Sequence, residues 1–156
     1  MTDAPRPFIP EPLTAVLLSR GVCRAFDQLG YATLAEFPLA NGRRADVLAL
    51  SKAGEFVVVE IKSSVADFRA DRKWMFYRDY SDRLYFCVAN DFPAALIPEE
   101  CGLIVADGFG AAIIRDAEPA PLAPARRRAL TLRFAMLAAS RLRRQLDPQP
   151  GHPELF

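Results

Sequence analysis

The stretch that decides the fold is Arg43-Arg-Ala-Asp46-Val-Leu-Ala-Leu50, then Ser51-Lys-Ala-Gly54, then Glu55-Phe-Val-Val-Val-Glu60-Ile-Lys62. The valine-rich run after Glu55 is almost wholly apolar, which predicts a strand covered on both faces. Gly54 suits the left-handed position of a three-residue loop, so 43–50 and 55–62 read as a hairpin. With Lys52-Ala53-Gly54 as the loop, Ser51 pairs with Glu55 and Asp46 falls directly opposite Glu60. Their Cβ atoms would then lie roughly 4.5–5.5 Å apart. Strand period puts Lys62 on the same face as Glu60. Burying such groups is costly unless they pair or bind something. Two carboxylates this close repel each other unless a cation lies between them, and hard oxygen ligands suit Mg²⁺ or Mn²⁺. The competing reading is a buried charge network that only fixes strand register.

Upstream, an amphipathic helix is predicted over residues 12–29, ending at Gly30, with Leu18, Val22, Ala25, Phe26 and Leu29 as its apolar stripe. Arg20 and Arg24 share the opposite face. A strand over 31–40 follows, joined to the next by Asn41-Gly42. Read as a two-residue turn, that dipeptide sets Phe37 opposite Asp46 and turns Glu36 away. Downstream, 63–80 is polar and aromatic-rich, with a helix expected over 71–79. Strands at 83–89, 102–107 and 111–115 and a helix over 124–146 complete the order α-β-β-β-α-β-β-β-α. The fold class is therefore α/β, a mixed sheet flanked by helices. The chain divides into a lead-in (1–11), a core (12–118), a linker with a basic helix packed on the core (119–146) and a flexible tail (147–156).

Composition narrows the chemistry. The chain has 156 residues and a formal charge of +1, and is 51% hydrophobic and 25% charged, ordinary values for a globular domain. Its single histidine, His152, stands in the tail, so a histidine-based triad, dyad or HExxH site has no placed imidazole. Cys23, Cys87 and Cys101 are odd in number and lack CxxC spacing, which argues against a disulfide framework or a cysteine zinc site. They read as small buried hydrophobes. Chemistry is left to carboxylates, lysine and a hard metal ion. No membrane-spanning apolar run or secretory leader is evident, so the expected location is cytoplasmic. The seven arginines of residues 120–156 face only two acids. Of these, Arg126, Arg133 and Arg144 fall within about 20° of one line on a helix, a track that could follow a nucleic-acid backbone. A solvated helix face is the plainer reading. The aromatic group Trp74, Phe76, Tyr77 and Tyr80 reads as core and site wall.

Asp46, thirteen residues, then Glu60-Ile-Lys62, on the second and third strands after a helix, resembles the PD-(D/E)XK nuclease superfamily. The longer string is similar to the MmcB-type DNA-repair endonucleases over roughly residues 10–145. It comprises Asn41-Gly-Arg-Arg-Ala-Asp46, Val58-Val-Glu-Ile-Lys-Ser-Ser64, Asp67-Phe68, Asp71-Arg-Lys-Trp74, Tyr77, Tyr80 and Tyr85-Phe86. The resemblance implies a restriction-endonuclease-like fold and metal-dependent phosphodiester hydrolysis in DNA repair, with DNA and repair proteins as partners. It implies that Asp46, Glu60 and the Ile61 carbonyl hold Mg²⁺ or Mn²⁺, while Lys62 orients the attacking water. Arg20, Arg43, Arg44 and Lys73 are candidates for phosphate contacts. Ala45 stands where the superfamily has proline, and Arg20 and Arg24 occupy the helix face that often carries a further glutamate. Lys73-x-x-x-Tyr77 stands where many relatives have Gln-x-x-x-Tyr; at i, i+4 on a helix both would face the site, with Tyr77 as a further candidate nucleic-acid contact. The alternative function is a catalytically silent member of the fold that binds nucleic acid or a repair partner.

Overall fold

A computed structural model describes residues 14–156; the expected lead-in and the first residues of the expected helix lie outside the described residues. Helix α1 (Ala15–Gln28) opens at Thr14, whose Oγ1 accepts the Leu17 N–H. It closes at Gly30 (φ 85°), where the Tyr31 N–H donates to the Phe26 carbonyl. That is the left-handed exit expected of the glycine. Leu18, Val22 and Phe26 are buried, but Leu29 is 58% exposed, so the apolar stripe ends a turn earlier than its pattern suggests.

Strands β1 (Ala32–Pro38), β2 (Arg44–Leu50), β3 (Phe56–Lys62), β4 (Arg83–Val88), β5 (Gly102–Ala106) and β6 (Ala111–Arg115) form one sheet in chain order. The β1–β2, β2–β3 and β5–β6 pairs are antiparallel; β3–β4 and β4–β5 are parallel. Helix α2 (Val65–Ala70) and a 3₁₀ segment (Trp74–Tyr80) make the β3–β4 crossover, and α3 (Pro124–Leu146) ends the fold. This is the mixed, helix-flanked sheet consistent with a restriction-endonuclease-like fold. β3, at the centre, alternates between two cores. Phe56 and Val58 pack with Phe86, Leu130, Phe134 and Leu137 beneath α3, while Val57, Val59 and Ile61 pack with Leu18, Val22 and Phe26 beneath α1. Every residue of β3 is buried, as its apolar run predicts.

The second hairpin has the expected loop: Gly54 (φ 85°) donates to Ser51, and Val47 stands opposite Val59. The first does not. The Leu39 N–H donates to the Arg43 carbonyl, so Ala40, Asn41 and Gly42 form a three-residue loop. A two-residue type I′ turn needs a positive φ at both positions, and only Gly42 has one. The Asn41 Oδ1 instead accepts the Arg43 N–H. The register therefore shifts by one, and Ala45, not Asp46, stands opposite Phe37. Glu36 takes the place across from Asp46, but the ladder skips this pair and Glu36 has φ 49°. On either side of the break, Leu34 and Leu48, then Phe37 and Ala45, all reach the core beneath α3. Those positions are three residues apart rather than two, so both strands turn over at Glu36 and Asp46.

The helix expected over 71–79 is also different. α2 ends at Asp71, whose Oδ1 accepts the Lys73 N–H, and the chain restarts as a 3₁₀ turn. A side chain that takes a backbone N–H in this way competes with the helix ladder.

The α3 arginines serve as docking groups. Arg133 and Arg141 donate to the carbonyls of Pro38, Ala35 and Glu36 along edge strand β1. Arg126 donates to the Asp79 carbonyl and lies over the Tyr80 ring, while Arg127 grips Asp82. Arg126 and Arg133 thus leave the proposed backbone track, because carbonyls at the sheet edge and loops need the donors. The cysteines carry no disulfide, and Cys87 and Cys101 are buried.

Close backbone packing at Gly21 gives a first prediction. A Cβ there would fall on the Asp107 carbonyl oxygen, between α1 and the β5–β6 turn. Gly21→Ala should destabilise the fold by about 1–3 kcal/mol despite its gain in helix propensity, measurable by urea denaturation.

Candidate functional site

The C-terminal end of β3 and the start of β2 bring together what the turn geometry predicted. The Asp46 N–H donates to Glu60 Oε1 at 3.2 Å, and the Ile61 N–H donates to Asp46 Oδ2 at 2.8 Å. The two carboxylates replace backbone carbonyls just where the β2–β3 ladder stops. Glu60 and Lys62 are 4% and 6% exposed, so this end of the strand is buried although it carries charge. No described hydrogen bond reaches Asp46 Oδ1 or Glu60 Oε2.

Burial pushes the Glu60 carboxyl from its ordinary 4.5 up to about 8; the neighbouring Asp46 charge adds to the rise, against the Asp46 N–H and Lys62. Asp46 is raised too, chiefly by burial, with the Ile61 N–H and Lys62 opposing. Burial thus favours the protonated form of Glu60 near neutral pH even with Lys62 beside it, and a further cation at the pair would favour the carboxylate.

Lys62 points elsewhere than at the pair alone. Its Nζ donates to Asp71 Oδ2 at 2.7 Å. Burial would raise the Asp71 carboxyl, but hydrogen bonds from Lys62 and the Lys73 N–H outweigh it and hold it low. Asp71 is thus the site member that residue-by-residue reasoning missed. The available signal was a buried lysine with no assigned counter-ion, nine residues from an aspartate at a helix end.

The other candidates divide. Tyr77 is buried at the site and donates its hydroxyl to the Arg44 carbonyl at 3.1 Å. Burial, then the charges of Glu60, Asp46 and Asp71, push that hydroxyl up to about 12. Arg43 lies 4.6 Å from the centre of the Phe76 ring, and its charge acts on Asp71 and Tyr77. Arg44 pairs with Glu36 at 3.7 Å, both well exposed, so Glu36 is drawn outward. Lys73 does not accompany Tyr77 inward. In a 3₁₀ turn of three residues, positions i and i+4 lie roughly 120° apart rather than on one face. Lys73 is accordingly exposed while Tyr77 is buried. Arg20 is exposed on α1, on the opposite sheet face from α3, with no described hydrogen bond or ion pair to the cluster.

The DNA repair protein family described as MmcB-like matches residues 4–149. The chain belongs to that family. A solved structure described as "SPO1766 protein of unknown function", from Silicibacter pomeroyi, is 43% identical. It superposes with a TM-score of 0.85 over 96% of this chain and 100% of its own. No protein with a curated description matches. Membership of the MmcB-like family suggests a DNA-repair role. Among the described residues, no helix is long and apolar enough to cross a membrane.

Proposed function

We propose that this MmcB-like protein is a metal-dependent DNA nuclease of the PD-(D/E)XK type, acting in repair. The observation that carries the reading is the Asp46–Glu60 pair, cross-linked through the Asp46 and Ile61 N–H groups, with Glu60 buried, Asp46 half-buried and Lys62 buried beside them. The donor set is hard oxygen, as Mg²⁺ and Mn²⁺ prefer. Among the described residues, no group of three or more His, Cys, Asp or Glu side chains converges. Two carboxylates are enough for Mg²⁺, which often takes its remaining ligands from water and substrate phosphate.

Asp46, Glu60 and the Ile61 carbonyl would hold the ion. When bound, it polarises the scissile phosphate and makes water a stronger acid. Lys62 donates from a position fixed by Asp71, offsetting charge that develops on the phosphoryl oxygens. Asp71 positions that ammonium. Arg43, braced on Phe76, supplies a cation at the mouth of the site. Tyr77 ties the 3₁₀ segment to β2 through the Arg44 carbonyl and so holds Asp71 near Lys62.

A panel of labelled single-stranded, duplex, flap and gapped DNA, incubated with Mg²⁺ or Mn²⁺, tests the reading. Cleavage should require the metal, vanish in EDTA and be lost in Lys62→Ala. A parent that binds the panel in a salt-dependent way but never cuts it would instead favour the catalytically silent binding module.

A further inference from the structure

At the edge of the sheet next to the candidate site, the C-terminal residues fold back onto α3. Glu154 Oε1 accepts the Arg141 Nε–H at 2.7 Å and lies 4.0 Å from Arg144. Arg141 is held in place by its other nitrogens, which donate to the Ala35 and Glu36 carbonyls at 2.6 and 2.9 Å. Its Nε edge is therefore preorganised to receive an anion from outside. A cavity of about 590 Å³ opens there, lined in part by Arg44, Arg141, Arg144, Glu36 and Glu154. Phe156 anchors the tail end under Arg133, 4.0 Å from guanidinium carbon to ring centre.

We infer that this arginine pocket is a subsite for a backbone phosphate of the DNA substrate, and that Glu154 occupies it as an intramolecular stand-in. The inference rests on the nucleic-acid reading above and adds where the substrate strand runs. Three arginines face two carboxylates while the tail is seated; with Glu154 withdrawn the pocket carries a net charge of +2. A carboxylate and a phosphodiester present the same kind of oxygen acceptor to a guanidinium. Arg44 links the pocket to the candidate site, since it lies two residues from Asp46 on β2 and its charge acts on both Asp46 and Glu154. A strand whose scissile phosphate sits at Asp46 and Glu60 would pass over Arg44 to reach Arg141 and Arg144. The tail is tethered to α3 by residues 147–153, so it competes at high effective concentration and weakens substrate binding without blocking it.

The test measures anisotropy of a labelled DNA duplex, in EDTA to prevent cleavage, for the parent, Glu154→Gln and Glu154→Gln/Arg144→Gln. Arg141 is left intact because it also docks α3 on β1. Glu154→Gln should bind about three- to tenfold tighter than the parent at low salt, with a steeper salt dependence, and the double variant should lose the gain. In parallel, titration with inorganic phosphate should move the Arg141 Nε resonance in Glu154→Gln at lower concentration than in the parent. Equal DNA binding by all three proteins, with an Arg141 resonance that phosphate leaves still, would overturn the subsite and leave the nucleic-acid reading standing. No DNA binding by any of them would overturn that reading and this inference with it.

Discussion

In metal-free buffer at pH 8, Glu60→Gln should melt above the parent, and the difference should close as pH falls toward 5. The folded protein holds the Glu60 proton up to about pH 8, whereas the unfolded chain releases it near its ordinary 4.5. Between those values the unfolded state binds fewer protons, so the parent loses stability as pH rises. The full shift corresponds to a penalty on the order of 5 kcal/mol, present above pH 8 and absent below about pH 4.5. An amide at position 60 keeps an oxygen for the Asp46 N–H and removes the titration. Asp46→Asn should act in the same sense, since it lifts the neighbouring charge while retaining an acceptor for the Ile61 N–H. Millimolar Mg²⁺ or Mn²⁺ should raise the melting temperature of the parent at pH 8 and of neither variant. Cleavage should fall at least about a hundredfold in both. Calorimetry across pH 5–8, with and without metal, reads all of this. If the pair served only to fix register, either substitution would instead cost roughly 3–5 kcal/mol at every pH, with no response to metal.

Asp82→Ala should be severely destabilising, costing about 3–5 kcal/mol. Asp82 is 5% exposed, just before β4, and its carboxylate has four donors. They are the Phe56 N–H at 2.7 Å, the Leu122 N–H at 2.9 Å and both terminal nitrogens of Arg127, at 2.6 and 2.7 Å. One side chain thus joins the start of β3, the linker before α3 (at Leu122) and α3 itself. Alanine would strand two buried N–H groups and unpair a guanidinium. Burial alone would raise the Asp82 carboxyl, but the Arg127 and backbone hydrogen bonds outweigh it and hold it below its ordinary 3.8. Its contribution is therefore present above that pH and lost progressively as acid protonates it. Urea unfolding of parent and Asp82→Ala should show a large gap at pH 7 that narrows in strong acid. Asp82→Asn, which can still accept one pair of donors, should fall between them.

Asp82 also marks where the reading of residues runs out. Its carboxylate sits opposite partners 26, 40 and 45 positions away in the chain, and no local pattern announces them. The same holds for the α3 arginines. Spacing placed Arg126, Arg133 and Arg144 on a line, and only packing decided that the Asp79 and Pro38 carbonyls would claim the first two.

What the sequence determined by itself is the part governed by short-range rules. The valine run made β3 a two-sided strand, Gly54 permitted the left-handed loop closure, and these together favoured the pairing that brings Asp46 to Glu60. Gly30 ended α1 in the same way. The Asn41-Gly42 turn escaped: the dipeptide fits a two-residue turn, but Asn41 accepts the Arg43 N–H within a three-residue loop, and the register moves by one. Asp71 escaped for a different reason. Its bond to Lys73 broke the expected helix and turned Lys73 away from Tyr77, while its other oxygen took the buried Lys62. A turn or a strand is decided by the torsional preferences and burial of adjacent residues. The partner of a buried charge is decided by which distant donors arrive with it in a dry interior, where leaving it unpaired costs more than bending a helix.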